Sequence, residues 1–539
     1  MSFRSPRFLT TAQSLLGDKH DSHPRWLGYV LGLHILTWMV ARGITDTNLD
    51  SYGDMLENFA WSQSLEWGSA KHPPLIAWIT GGWFALFPTM DTAYHLLSYL
   101  NVSIGLLGVY RLAYAWRRPD LALPAVMLLC MAFPYSTLAA KFNANAILLG
   151  LWPWVAVAWL RSVQAPGRAA LVWSVALGAL SALAVLGKYY SGVLLLGLFL
   201  SALSAVEGRR WFATPKPWIA LAVFVLCLAP HLAWLRDHDF VTLKYVGEQG
   251  GNNGLAWQHI VKFALAPLAH WFFPWLVCAW IYAPEEQSLK QRLLGWPGRL
   301  MRAWMPNGWF DSLFWMATLT WAITLLFGIS GAVELSLPWA IPIGFGFSLL
   351  WLRNLSVVGA AAQHAKRRLF MCLMGWFALV VVASPWYAWH LAQTGADKYY
   401  LPRREAAAEL LRTWSVRQPQ ALRWVGGQWA ESALLAFYGD RHIRVVPGVP
   451  DQFPATVSSP FDWRAQAGLL VCPLGPVDRP DSTECPQQMK AWLATQGQNT
   501  EPLRLTVQSS GPRFALARPF SYLVFEYVPT GGPVPSLPD

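Results

Sequence analysis

Apolar stretches long enough to cross a lipid bilayer recur along most of the chain. A helix needs roughly 20 apolar residues to span the hydrocarbon, and such stretches fall at 26–42, 92–115, 120–139, 145–161, 169–187, 191–206, 217–235, 259–282, 309–330, 338–353 and 369–391. The pattern predicts an all-α polytopic membrane domain of about 11 transmembrane helices. A further apolar run at 75–87 is short for a span and predicts an interfacial or re-entrant helix. After 391 the pattern changes. Short apolar runs at 421–426, 443–446, 468–471 and 522–527 predict strands, and 405–416 and 431–438 predict helices, so the tail reads as a soluble α/β domain. The chain thus divides into an N-terminal segment 1–25, a membrane domain 26–391 whose first outside loop covers 43–91, and a tail 392–539.

The charges assign sides to these spans. With the N-terminus in the cytoplasm, the inside loops collect about half of the 41 lysines and arginines, whereas the opposite short loops hold Arg42, Lys71, Lys141, Lys188, Arg236, Lys244 and Lys262. That asymmetry is the positive-inside pattern. It explains a net charge of +11 as topology, so no nucleic-acid partner is implied. An odd number of spans then delivers the tail to the outside, which in a bacterial inner membrane is the periplasm. Composition agrees: 54% hydrophobic and 13% charged residues exclude an ordinary soluble domain, and 33 tryptophans suit a chain that meets the lipid interface many times. In an oxidising compartment Cys472 and Cys485, separated by a short proline-containing loop, read as a disulfide that stabilises the tail by about 3 kcal/mol. The other reading is two buried thiols. No CxxC pair suggests a zinc site.

Ionisable residues are scarce within the spans, with His34, His95 and His270 the main exceptions, and the polar chemistry gathers in the outside loops. The first of them holds Asp46, Asp50, Asp54, Glu57 and Glu66, then Lys71 and His72. Asp54 and Glu57 are three apart and share one face of a helix. Trp61, Trp67 and Trp78 suggest that this loop lies along the membrane surface. Lys71-His72-Pro73-Pro74 predicts a basic turn before a helix that starts at the interface, where it meets either a phosphate or a lipid headgroup. Later outside loops add Lys141 with Asn143 and Asn145, Lys188 with Tyr189 and Tyr190, and Arg236, His238 and Lys244; Glu334 is a further candidate for the same cavity. Each is singly an ordinary interface anchor. Together they set several cations beside an acidic loop, which suits an anionic headgroup plus a base. Oxygen ligands in that loop also suit a divalent metal, although carboxylates alone leave the metal unassigned. There is no phosphate-loop or HExxH motif, and GEQGGNNG reads as a turn.

The loop segments resemble a known family. Asp54-Met-Leu-Glu57 followed by AWSQSLEWGSAKHPPLIAW resembles the first periplasmic loop of bacterial glycosyltransferase family 39 proteins of the GT-C fold, where an acidic pair precedes a WSQ-like turn and (D/K)HPPL. KFNANAILLGLWPW at 141–154, GKYYSGVLLL at 187–196 and PHLAWLRDHDFVTLKY at 230–245 are similar to later blocks of the group. The resemblance covers roughly 26–391 and extends to lipid A aminoarabinose transferases. It implies an integral-membrane enzyme that moves a sugar from a polyprenyl-phosphate carrier to an envelope acceptor, whether lipid A, a glycan, another lipid or a protein. It implies Asp54 as general base and Lys71, His72, Lys188 or Arg236 as the phosphate site. The family's acidic pair is often adjacent, whereas here Met55 follows Asp54, so Glu57 is the second acid. A transporter or flippase would instead predict internal repeats and charges at mid-membrane, and a non-catalytic envelope scaffold would release no lipid phosphate.

Overall fold

The computed structural model describes residues 23–50, 53–249, 257–284, 287–394, 401–427, 429–446, 463–508 and 518–529. Nearly all of the N-terminal segment 1–25 and the glycine-rich turn at 250–254 lie outside them. Among the described residues eight helices are long and apolar enough to cross a membrane: Arg25–Thr45, Asp91–Ala115, Ile147–Gln164, Gly167–Gly187, Lys216–Asp237, Trp257–Ile281, Ser312–Ile329 and Ala360–Thr394. Two bent helix pairs are long and apolar enough only when each is taken together, Pro119–Leu129 with Phe133–Ala140 at 79° and Ser191–Ser204 with Val206–Phe212 at 110°. The protein is therefore a multi-pass membrane protein.

The tenth predicted span differs. Residues 338–353 form two short 3-10 turns, Leu337–Ala340 and Ile343–Gly346, and then the helix Phe347–Leu355. Pro338 and Pro342 each remove a backbone donor and break the helical ladder. The segment survives inside the membrane domain because it is sheathed in protein, with Ile343, Phe345, Phe347 and Leu350 almost fully buried.

Direct backbone contact organises the centre of the bundle. A side chain at Gly105 would strike the Leu149 carbonyl, and one at Gly150 would strike Asn101. Small residues let Asp91–Ala115 and Ile147–Gln164 approach this closely. Asn101 then donates to the Ala146 carbonyl at 2.7 Å, which fixes the loop that precedes Ile147–Gln164.

The tail is a five-stranded sheet in the order β2-β1-β3-β5-β4, formed by β1 Trp424–Gly427, β2 Arg444–Val445, β3 Gly468–Pro476, β4 Leu503–Gln508 and β5 Pro519–Tyr527. The β1 pairings with β2 and β3 are parallel, and those of β5 with β3 and β4 are antiparallel. Helices Arg403–Arg417, Trp429–Leu434 and Glu484–Thr495 accompany it. Cys472 on β3 is bonded to Cys485 at the start of Glu484–Thr495, within an apolar cluster that includes Trp424, Met489 and Phe525. Phe437, just after Trp429–Leu434, packs against Phe59, Phe84 and Tyr94 at ring separations of 5.2, 5.5 and 6.0 Å. The tail therefore rests directly on the segment that joins the first two spans.

Candidate active site

The acidic pair sits on the helix Asp54–Ser62. Gly53 enters it with φ 81°, a left-handed conformation that glycine adopts without strain. Asp50 accepts hydrogen bonds from the backbone N–H groups of Gly53 and Met55, at 2.5 and 2.8 Å, and so caps the helix from outside. Met55, Leu56, Phe59 and Ala60 are buried, which leaves Asp54 and Glu57 on the remaining face. Asn58 donates to the Phe142 carbonyl at 2.9 Å and ties this helix to the next contributor.

That contributor is the loop at 141–146. Asn143 accepts from the N–H groups of Asn145 and Ala146 at 3.0 Å each, so its amide nitrogen faces Asp54 and donates to Oδ2 at 3.0 Å. The Lys141 ammonium reaches the same oxygen at 2.8 Å. Lys188, at the end of Gly167–Gly187, donates to Asn145 Oδ1 at 2.5 Å and lies 5.6 Å over the Trp339 ring. Lys71 pairs with Glu57 Oε1. The turn that presents Lys71 and His72 is closed by Ser69, whose Oγ accepts from the His72 N–H at 3.0 Å. Pro73 and Pro74 follow, and the helix Leu75–Leu86 starts there. The His72 ring meets Trp61 and Tyr245 edge-on, at 5.8 and 6.4 Å. Asp54, Glu57, Lys71, His72, Lys141, Asn143 and Lys188 thus converge from loops far apart in sequence.

Their electrostatics are uneven. Burial is the strongest influence on Asp54 and favours its neutral form, yet Lys141, Asn143 and His72 together outweigh it and hold the carboxyl below its usual range. Burial wins at Glu57, which is lifted to about 7 despite Lys71, with Asp54 and Asp50 adding repulsion. Burial pulls Lys188 down to about 7 against the attraction of Asp54. His72 falls to about 3 through burial and the Lys188 charge, opposed by Asp54. Near neutral pH the cluster holds an ionised Asp54, a neutral His72, and two groups, Glu57 and Lys188, poised between charge states. Such spreading of titrations is characteristic of functional sites.

Other predicted residues point elsewhere. Arg236 pairs with its neighbour Asp237 at 2.9 Å, and both are mostly exposed. His238 donates from Nδ1 to the Trp234 carbonyl at 2.8 Å and stacks on the Trp234 ring at 4.2 Å. Lys244 is exposed on the helix Val241–Gln249. Tyr189 serves the scaffold: its hydroxyl donates to His231 Nε2 at 2.6 Å, because His231 Nδ1 is engaged by the Trp67 carbonyl. Glu334 pairs with His259 at 2.7 Å. Trp61 is buried and Trp78 donates to the Glu66 carbonyl, so of the three indoles Trp67 alone is exposed, at 41%. The acidic loop is likewise dispersed. Asp46 pairs with Arg42 at 3.2 Å and Asp50 caps a helix, and among the described residues no three His, Cys, Asp or Glu side chains gather as a metal site.

The tail supplies contacts that sequence reasoning missed. The Gln63 amide donates to the Ile443 carbonyl at 2.8 Å and accepts from the Val445 N–H at 2.9 Å, imitating a paired strand on β2. Arg444 donates to the Gln63 carbonyl at 2.7 Å. Arg403, buried, donates to the Asp50 carbonyl at 2.7 Å, behind the cap of the acidic helix. Gln63 lies in the quoted WSQ turn, but nothing in its spacing signalled a partner in the tail.

Residues 71–234 match the family described as dolichyl-phosphate-mannose-protein mannosyltransferase, a span that includes Lys71, His72, Lys141, Asn143 and Lys188. The lipopolysaccharide core galacturonosyltransferase RgtB of Rhizobium johnstonii is 25% identical over 361 residues, 64% of this chain and 68% of that protein. The crystal structure of ArnT from Cupriavidus metallidurans bound to undecaprenyl phosphate superposes with a TM-score of 0.54 at 17% identity, over 94% of this chain and 99% of that one. The apo form of the same protein gives 0.54 at 16% identity, over 95% and 100%. The chain is a membrane glycosyltransferase of the GT-C fold, similar to the lipid A aminoarabinose transferases.

Proposed function

We propose that the protein transfers a sugar from a polyprenyl-phosphate carrier to a hydroxyl of an envelope lipid or glycan at the Asp54 cluster. The observation that carries this reading is Asp54 held by Lys141 and Asn143, with Lys71 on Glu57 and Lys188 on Asn145 brought in beside it from two further loops. The acceptor oxygen forms its bond to the anomeric carbon while the bond from that carbon to the phosphate oxygen breaks, its electron pair leaving with the lipid phosphate. The acceptor proton passes to Asp54. Lys71, Lys141 and Lys188 stabilise the charge that grows on the phosphate, in a site where burial strengthens each interaction. His72, neutral, adds a hydrogen-bond donor without another full charge. The names of the relatives support the substrate classes: one acts on lipopolysaccharide core, and the other was crystallised with undecaprenyl phosphate.

The chemistry belongs to the outer face of a bacterial inner membrane, with the N-terminus cytoplasmic and the tail periplasmic. The distribution of Lys and Arg between the loops supports that orientation. The deciding experiment offers purified protein a panel of polyprenyl-phosphate sugars with envelope extract as acceptor and measures free polyprenyl phosphate. Release by the wild type and not by Asp54→Asn is expected. No release from folded wild type with any donor would return the weight to a transporter or a scaffold.

A further inference from the structure

We infer that Gln63 is a positioning residue for the transfer: through it the tail fixes the helix Asp54–Ser62, and with it the place of Asp54 against Lys141 and Asn143. The inference rests on the transferase reading above and gives the tail a part in the reaction. A helix of nine residues is too short to hold its conformation or its place unaided. On the site side Asn58 ties it to the Phe142 carbonyl. On the other side the tail holds it at its start, its middle and its end. Arg403 donates to the carbonyl of Asp50, whose carboxylate caps the first turn; Phe59 packs on Phe437; and Gln63, directly after the last helical residue, reaches β2.

The hold at the end is the most specific. β2 is an edge strand of the sheet. The N–H groups of Arg444 and Val446 donate inward, to the carbonyls of Arg423 and Val425, so the Ile443 carbonyl and the Val445 N–H between them face the open edge. Ile443 and Val445 are buried, and their outward backbone groups would be costly if left unpaired. The Gln63 amide meets both, donating to Ile443 at 2.8 Å and accepting from Val445 at 2.9 Å. A carboxamide suits the place because it sets a donor and an acceptor side by side. Arg444 donates in turn to the Gln63 carbonyl at 2.7 Å, so the side chain and the main chain of residue 63 are both engaged by one strand.

Gln63 and Asp54 lie at opposite ends of the helix, roughly 14 Å apart along its axis. A helix moves as a rod, so slack at residue 63 becomes displacement at residue 54. A shift of about 1 Å at a reacting group costs on the order of 100-fold in rate. The charge state of Asp54 would register the same movement. Burial opposes its ionisation, Lys141 is the strongest of the groups that overcome burial, and Asn143 and His72 assist. Glu57 on the same helix and Lys188 complete the charged groups around it. Drift away from the loop at 141–146 weakens the support from Lys141, so Asp54 takes up a proton at a higher pH.

The test uses the full-length protein in detergent, assayed for lipid phosphate release and, separately, for amide hydrogen exchange in residues 54–62. Gln63→Met keeps the length of the side chain and removes its donor and acceptor. It is expected to lower kcat about tenfold while KM for the donor stays within about twofold, because only the placement of the base has changed. The acid limb of its pH–rate profile is expected to move to higher pH, and exchange in the helix to quicken. Arg444→Ala removes only the bond to the Gln63 carbonyl, from an exposed position, and is expected to shift the same readings a few-fold less; it decides the question if Gln63→Met fails to fold. Wild-type kcat in the folded variants would overturn the proposal, as would a loss that merely follows the folded fraction with the acid limb unmoved. Exchange needs no substrate, so the two readings fail separately: a wild type without lipid phosphate release overturns the transferase, and unchanged exchange in both variants overturns the role of Gln63.

Discussion

Two groups of basic residues occupy loops on the same membrane face, and the structure treats them in opposite ways. Lys71, Lys141 and Lys188 are drawn inward, each onto a carboxylate or amide of the cluster. Arg236 and Lys244 stay at the surface, and His238 stacks on its own helix. What separates them is the backbone beneath. The inward lysines leave loops pinned by buried polar side chains: Ser69 closes one turn, Asn143 another, and Asn58 joins the second to the acidic helix. Arg236 instead rides the end of a long helix, one residue from a carboxylate that satisfies it locally. A cation becomes part of a site when the chain around it has nowhere else to send it.

The largest expected effect is on the carboxylate at the centre of the inward group. Asp54→Asn is nearly isosteric and should reduce turnover at least 100-fold, the scale of a lost general base, with the thermal midpoint little changed. A variant that turns over like wild type would break the contrast at its root. Lys141→Ala comes next. It removes the strongest support for the ionised form of Asp54, so turnover should fall roughly 10- to 100-fold and the acid limb of the pH–rate profile should move to higher pH. An unmoved limb would mean that Lys141 does not govern Asp54.

A smaller effect sharpens the role of Glu57. Its pKa is raised to about 7 in the folded protein from an ordinary 4.5, so between those values the native state holds more protons than the unfolded one and stability falls as pH rises. The slope is complete above about 7. His72, lowered to about 3, works in the opposite sense below its ordinary 6.5, so the reading must be a difference between variants. Relative to wild type, Glu57→Gln should gain thermal midpoint at pH 8 over pH 5. Equal shifts at both pH values would remove Glu57 from the titration. The smallest effect belongs to the outward group: Arg236→Ala should change turnover and apparent donor affinity less than about twofold, as exposed ion pairs contribute little. A larger loss of donor affinity would erase the distinction between the two groups.

The spans were legible because lipid imposes a length and an apolarity that a sequence states openly. The break at 338–353 was half visible in Pro338 and Pro342, but its burial within the bundle depends on neighbours that no local pattern names. In the tail, β1 and β3 were visible as buried runs. The strand Leu503–Gln508 was missed although LRLTVQ alternates apolar and polar residues at the period of a half-buried strand, and Glu484–Thr495 because only Cys485, Met489 and Leu493 of its residues are buried. In the site, the acidic pair and the lysines were readable as types in the right loops. Which of them converge was not, since Arg236 and Lys188 look alike until the loops are folded.

The grip of Gln63 on β2 joins residues 380 positions apart. Every charged member of the cluster has been synthesised by Lys188, yet the helix bearing the carboxylates lacks its outer clasp until Arg444 and Val445 have been made and folded onto it. Maturation of this enzyme is thereby set late in its biogenesis, and a chain stalled before β2 would insert into the membrane with all of its charged site residues in place and that clasp missing.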